Sequence, residues 1–399
     1  MDTLTHFAND RREPPVSSGA YQSSWVDEDV RIFRKSIHQF IEKEFLPHYA
    51  GWCKQHHPDA QAWRKAGEIG LLLPDIPEQY GGGGGTLAHV IAVQEELAQA
   101  GIQFGCSIQS VVGHYILAYG NQEQKNAWLP RMASGELVAA IAMTEPTAGS
   151  DLQRIKTTAR RDGQHYVVNG SKTFITNGWH AGLICLAVKT DTSSAVGLKA
   201  LSLLIVETKD LGGYHVGQPL EKIGMHAQDT CEIFFDNARV PLTNLLGASE
   251  GKGFSQMMEQ LPYERLIVSA SAVATMERAV ALTTRYVKDR SAFSKPLMEF
   301  QNTRFQLAQC VTETQIGRVF LDNCIQRYLA GELDDVTTAM AKYWLTESEG
   351  RIVDQCLQLH GGYGCMLEYP IARMWADSRA HRIYAGTNEI MKELIAWSL

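Results

Sequence analysis

Near its C-terminal end the chain reads "HRIYAGTNEI", residues 381–390, with an aromatic residue, small residues, a threonine and one carboxylate, Glu389. In an active site that carboxylate is a candidate proton acceptor; the alternatives are a group distant in sequence, or none. Two further stretches carry groups suited to binding a ligand. "AMTEPTAGSD", Ala142 to Asp151, runs from strand-like residues into a small-residue loop that offers hydroxyls and exposed backbone amides, and reads equally as a structural loop. "GSKTFITNG", Gly170 to Gly178, places Phe174 and Thr176 on one face of a strand, where they suit a flat polar ligand; packing is the plain alternative for Phe174.

The elements that must position these groups follow from patterning. Val30, Phe33, Ile37, Phe40, Ile41 and Phe45 recur at helical spacing, and helical character continues to about residue 138. "YGGGGGT" interrupts it and lacks the pattern of a phosphate loop, so a flexible turn is expected there. After Leu137 the character changes, and "RRDGQHYVVNGSKTFITNG" sets Asp162-Gly163 and Asn169-Gly170 between β-prone runs, as hairpin turns require. Beyond Gly251 long helical segments return. Helices, then strands, then helices predict an α+β fold: a tail over 1–24, an N-terminal helical domain over 25–140, a mainly antiparallel β domain over 141–250 and a C-terminal helical domain over 251–399.

Composition narrows the function class. The 399 residues include 45% apolar and 20% charged side chains, and the net charge of −7 comes with no long basic run, which disfavours nucleic acid and anionic membranes. No apolar run suggests a bilayer span, and the first twenty residues resemble neither a secretory nor a transit peptide, so a cytoplasmic location is expected. Eight scattered cysteines without a C-x-x-C pair suggest neither a disulfide framework nor a metal site.

Together with "RSAFSKPLMEFQ" (290–301), "QLHGGYG" (358–364) and "YAGTNEIMKELIA" (384–396), the two loop segments resemble the acyl-CoA dehydrogenase family in order and over nearly the whole length. The resemblance implies a C-terminal four-helix bundle and FAD held between the β domain and that bundle without a dinucleotide fingerprint. It implies FAD contacts from Ile141, Met143, Thr144, Gly149 and Ser150, from Phe174, Ile175 and Thr176, and from Thr387, Asn388 and Glu389. It further implies that Arg290, Gln301, Gln358, Leu359, His360, Gly361 and Gly362 reach the cofactor of a neighbouring subunit in a homodimer or homotetramer, with Arg290 pairing the pyrophosphate. Acyl-CoA contacts would come from Ser150, Ser255, Pro262, Tyr263, Arg265, Tyr384, Ala385 and Gly386, and an electron-transferring flavoprotein would reoxidise the flavin.

Many members of the family carry the catalytic Glu where this chain has Ala385. Long-chain and isovaleryl-type members place it instead in the pattern L-x-x-E-R-L, which "LPYERL", Leu261 to Leu266, matches; Glu264 is then the base. Leu261, Ile267, Val268 and Ala272 surround it at helical spacing, so its carboxylate emerges from an apolar face, and Pro262 is expected to kink or loosen that helix. Spacing alone also fits an ordinary helical glutamate paired with an arginine. "AQDT" (227–230) and the C-terminal signature look closer to long-chain-type members, with a branched or isoprenoid acyl chain as the alternative. Three rivals stand beside this reading: a hydrolase built on "GASEG" (247–251), a non-catalytic acyl-CoA-binding homologue, and an oxygen-reactive enzyme on the same fold.

Overall fold

The computed structural model describes residues 21–191 and 200–399, so most of the segment read as a tail lies outside the described residues. From Trp25 the chain is tied down: its indole donates to Asp322 Oδ1 at 2.8 Å, joining the N-terminal segment to a C-terminal helix. The first helical layer comprises α1 (Glu28–Phe40), α2 (Leu46–Gln55), α3 (Ala60–Glu68), α4 (Leu87–Ala100), α5 (Cys106–Tyr119) and α6 (Gln122–Ala133), with a π-helical turn, Ile41–Phe45, between α1 and α2. Asp27 caps α1 by accepting from the Val30 amide, and Glu28 and Asp29 favour its positive end.

The pentaglycine run is a closely bonded turn, contrary to the flexible one expected. Every amide from Gly81 to Gly85 donates to a carbonyl between Leu73 and Glu78. A Cβ on Gly82 would stand 2.1 Å from the Ile76 carbonyl oxygen, so glycine is required here for close approach of backbone rather than for mobility.

β1 (Val138–Ala142), β2 (Thr158–Asp162), β3 (His165–Thr176), β4 (Ala181–Lys189), β5 (Leu201–Glu207), β6 (Tyr214–Val216) and β7 (Thr230–Pro241) form one seven-stranded sheet. The order is β1-β4-β2-β3-β7-β6, with β5 on β4; β1 runs parallel to β4 and most other pairs are antiparallel. Asp162-Gly163 opens the tight β2–β3 hairpin, with Gly163 at φ 59. Asn169-Gly170 is no turn. It lies within β3 at a register shift, where a Cβ on Gly170 would come within 2.4 Å of Thr157 Oγ1.

The C-terminal layer holds α7 (Gly253–Asp289), a short hairpin of β8 (Ser291–Ala292) and β9 (Lys295–Pro296), then α8 (Gln301–Leu329), α9 (Asp335–Leu359), α10 (Pro370–Ser378) and α11 (Asn388–Ala396). α7 spans 37 residues and stays helical through Pro262. The expected kink does not end or interrupt it: proline removes one amide donor, while burial of Leu266, Ile267, Val273 and Met276, at about 1.5–3 kcal/mol each, holds the helix in place. By length and composition α7 could cross a bilayer, but 72% of its apolar window is buried within the protein. The small residues Ser269, Ala270 and Ala272 are fully buried, which allows the close packing of α7 with neighbouring helices.

Candidate active site

One wall of the site comes from β1 and β3. Ile141, Met143, Thr144 and Thr176 are half-buried, while Gly149 and Ser150 are exposed. Beneath them Glu145 and Lys172 form a buried ion pair: Lys172 Nζ donates to Glu145 Oε1 at 2.9 Å and to the Met143 carbonyl at 3.0 Å. Glu145 also accepts from the amides of Lys156 and Thr157 at 2.6 and 3.0 Å. Burial works against the Glu145 charge, but Lys172 and these donors outweigh it and hold its pKa below the usual range. Burial pulls Lys172 down to about 8, with Glu145 offsetting only part. The pair thereby fixes the loop after β1 against β3.

Phe174 follows at a register shift in β3, with φ 59 and 67% of its surface exposed. An aromatic held in the left-handed region and turned to solvent is costly on both counts, as expected where a surface is prepared for a flat ligand. Thr176 shares this outward alternation. Ile175 does not: it is buried in the sheet core, so its side chain cannot contact a ligand, and only its backbone remains available. Asn177, at φ 63, closes the strand by donating to the carbonyls of Gly105 and Ala139 at 2.9 and 3.0 Å.

Glu264 stands on α7, half-buried, and accepts from the Tyr115 hydroxyl of α5 at 3.2 Å. Burial raises its pKa to about 7; the Tyr115 hydrogen bond and the Arg265 charge oppose this and fall short. A half-buried carboxyl poised near neutrality is matched to general-base work. Arg265 is buried, 4% exposed, and its Nε has no partner among the described residues. Tyr263 turns the other way. Its ring stacks on His114 at 3.9 Å and its hydroxyl donates to Asp75 Oδ2 at 3.0 Å, which makes it a core residue instead of the substrate contact expected. Ser255 is exposed in the first turn of α7, donating to the Lys252 carbonyl.

The loop from Tyr384 to Thr387 precedes α11 and is tied to α9. Ala385 and Gly386 both adopt positive φ, 54 and 87. Lys342 of α9, fully buried, donates to the Gly386 carbonyl at 2.6 Å and to Asn388 Oδ1 at 3.0 Å. Burial first, then the nearby Arg265 charge, lowers the Lys342 pKa to about 7. Asn388 also donates to Thr346 Oγ1 and Glu347 Oε1, both at 3.0 Å. Its side chain is thus a clamp between α9 and α11 and is spent inside the protein, contrary to the cofactor contact expected of it. The Thr387 hydroxyl caps α11, accepting from the Ile390 amide. Glu389 is exposed on the first turn of α11, where its own backbone amide and the Thr387 hydroxyl hold its pKa low. It lacks the burial that would make it a base near neutrality.

A pocket of about 720 Å³ is lined by Tyr286, Arg290, Leu297, Gln358 to Gly362 and Tyr363. No atom lies within 4 Å of a Cβ built on Gly361 or Gly362, so backbone faces open space there. Arg290 stands over the Tyr363 ring at 5.6 Å, and His360 stacks on Tyr286 at 4.3 Å. This combination of exposed backbone, an exposed guanidinium over an aromatic ring and aromatic walls suits a phosphate-bearing ligand. Gln301 begins α8 beside this region and is exposed.

The sequence carried no signal for Tyr115, which lies 149 residues from its partner Glu264. Lys172 and Lys342 could have been suspected, since each interrupts an otherwise inward-facing apolar pattern. Ser249 of "GASEG" is exposed on the connection after β7, preceded by a short 3-10 turn and not by the strand a nucleophile elbow needs.

A helical layer, a β layer and a bundle meet at a half-buried glutamate, through Tyr115, Cys185 and Glu264, an arrangement that fits a flavoprotein oxidoreductase of acyl thioesters. The family models bear this out: the acyl-CoA dehydrogenase N-terminal, middle and C-terminal domains match residues 27–136, 140–238 and 251–399. The chain is 43% identical over 367 residues to the mitochondrial long-chain specific acyl-CoA dehydrogenase of Sus scrofa, covering 92% of this chain and 85% of that protein. It is 39% identical over 375 residues to an acryloyl-CoA reductase (NADH) of Anaerotignum propionicum, covering 92% and 93%. The crystal structure of an acyl-CoA dehydrogenase from Geobacillus kaustophilus superposes with a TM-score of 0.92 at 47% identity, covering 94% and 99%. The chain belongs to the acyl-CoA dehydrogenase family, whose cofactor is FAD.

Proposed function

We propose that the protein oxidises a medium-to-long straight-chain acyl-CoA to its trans-2-enoyl-CoA, with Glu264 as the base. The observation that carries this reading is the contrast between two carboxyls. Glu264 is half-buried and held near neutrality by burial, whereas Glu389 is exposed and held low. Glu264 takes the α-proton of the thioester. The Ala385 amide, presented by a residue at φ 54, donates to the thioester oxygen as charge develops there. Alanine at 385 leaves room for a carboxylate arriving from α7. Exposed Phe174, with Thr144 and Thr176, would flank the flavin ring, and Arg290 with Gln358 to Gly362 would hold the pyrophosphate end of FAD bound to a neighbouring subunit. FAD, when bound, would supply the acceptor for the β-hydrogen as hydride. The long-chain relative supports the chain length, and an electron-transferring flavoprotein is the proposed acceptor.

The test is anaerobic addition of a ladder of straight and branched saturated acyl-CoA thioesters to the FAD-loaded protein. Flavin bleaching fastest with medium-to-long straight chains is expected. Bleaching confined to branched thioesters, or absent with all of them, would contradict the assignment.

A further inference from the structure

The base is reached by a hydrogen bond from a different layer of the protein. Among the described residues, the hydrogen bond to the Glu264 carboxylate comes from Tyr115 at 3.2 Å. Tyr115 is fully buried on α5, so its hydroxyl has no water to turn to, and its place is fixed by the core around it. We propose that Tyr115 is the positioning residue that holds Glu264 toward the substrate and keeps it available as a carboxylate. The proposal rests on Glu264 being the base.

The surroundings make this donor decisive. From α5 the facing groups are Tyr115 and, one turn further, Tyr119, whose hydroxyl is already committed to Glu259 Oε2 at 2.7 Å. β4 contributes Cys185, a fully buried thiol kept protonated by burial and by the Glu264 charge. α7 itself contributes Arg265, behind which α9 places Asp335 and Lys342. Tyr115 too stays protonated, since burial and then Glu264 push its pKa well up. Glu264 is therefore stabilised by a neutral hydroxyl and a cation that makes no hydrogen bond to it. A neutral donor steadies the carboxylate without locking it in an ion pair, which would cost it basicity. Once Glu264 holds the α-proton, the hydroxyl has lost its charged acceptor, so the bond is stronger before proton transfer than after.

Removing a hydrogen bond to a charged group of this kind shifts the acceptor's titration by about one pH unit. In Tyr115→Phe, the acid limb of the pH profile for anaerobic flavin bleaching is expected to move up by about one unit. The plateau at high pH should be retained, and the rate on the acid side should fall about tenfold. Replacing Tyr115 by 3-fluorotyrosine keeps the shape and strengthens the donor, so the limb should move down; this variant decides the matter should the phenylalanine variant fail to fold with FAD. An unmoved limb, or an equal fall at every pH, overturns the proposal. Glu264→Gln, measured alongside, separates the two readings. If it bleaches like the wild type, the base assignment fails and Tyr115 falls with it. If it is inert while the Tyr115 limbs do not move, Tyr115 alone is wrong.

Discussion

Replacing Lys172 with methionine should loosen the wall beneath Phe174 by an amount that the structure sets. The substitution keeps the buried apolar stem and removes the charge that stands 2.9 Å from Glu145 and 3.0 Å from the Met143 carbonyl. Breaking one half of a buried ion pair costs about 3–5 kcal/mol, because the other charge is left without compensation. Glu145 would keep the amides of Lys156 and Thr157, which places the expected cost at the lower end, about 3 kcal/mol. Protonation of the stranded carboxyl sets a ceiling of its own, about 1.36 kcal/mol for each pH unit that separates the solution from its ordinary titration range. The loss should therefore be largest near neutrality and smaller at about pH 5, where the stranded Glu145 protonates cheaply. Denaturant unfolding of the FAD-loaded protein, followed through flavin absorbance and circular dichroism, measures it. The double variant Lys172→Met, Glu145→Met should recover most of the loss, since an apolar pair of similar volume strands no charge. A single variant within about 0.5 kcal/mol of the wild type, or a double variant as unstable as the single, would refute this account of the pair.

Three further outcomes are expected. The raised pKa of Glu264 means that the unfolded chain releases its proton near the ordinary carboxylate pKa while the folded protein keeps it to about 7, so stability falls as pH rises between those values. Glu264→Gln should remove that loss, raising the melting temperature at about pH 8 but not at about pH 4, as calorimetry would show. Asn388→Ala strips Lys342 of one acceptor and unties Thr346 and Glu347; it should cost about 2–4 kcal/mol in unfolding experiments and slow flavin bleaching by loosening the 384–387 loop. Arg318→Met should cost about 3–5 kcal/mol in the same unfolding assay, because Arg318 is buried against Glu95 and Glu277 at 2.5 and 2.8 Å.

Local rules made much of the architecture legible. Helical spacing marked α1 and α7, and Asp162-Gly163 marked a hairpin because a tight turn demands positive φ at a position glycine fills at little cost. The same rule misled at Asn169-Gly170, where glycine is needed for room beside Thr157 and its neighbours in sequence cannot reveal that. At the pentaglycine run the expected turn is present, with Gly81 and Gly84 at positive φ, and only its close bonding to the 73–78 backbone was not legible. Within the candidate site, the half-buried setting of Glu264 was foreshadowed by its apolar helix face. Tyr263, adjacent to it, was misassigned because successive helical residues point about 100° apart, and only packing decides which of them turns into the core. The supports were the least legible part. Tyr115 meets Glu264 across 149 residues, and Lys172 meets Glu145 across 27, so neither partner betrays the other in the chain.

The central claim is that the proton passes to Glu264 and not to Glu389. Its most direct measurement is exchange of the α-hydrogen of a bound acyl-CoA with deuterated solvent, followed by mass spectrometry in the wild type, Glu264→Gln and Glu389→Gln. Exchange should persist in the wild type and in Glu389→Gln and vanish in Glu264→Gln; undiminished exchange in Glu264→Gln, or its loss in Glu389→Gln alone, would contradict the account.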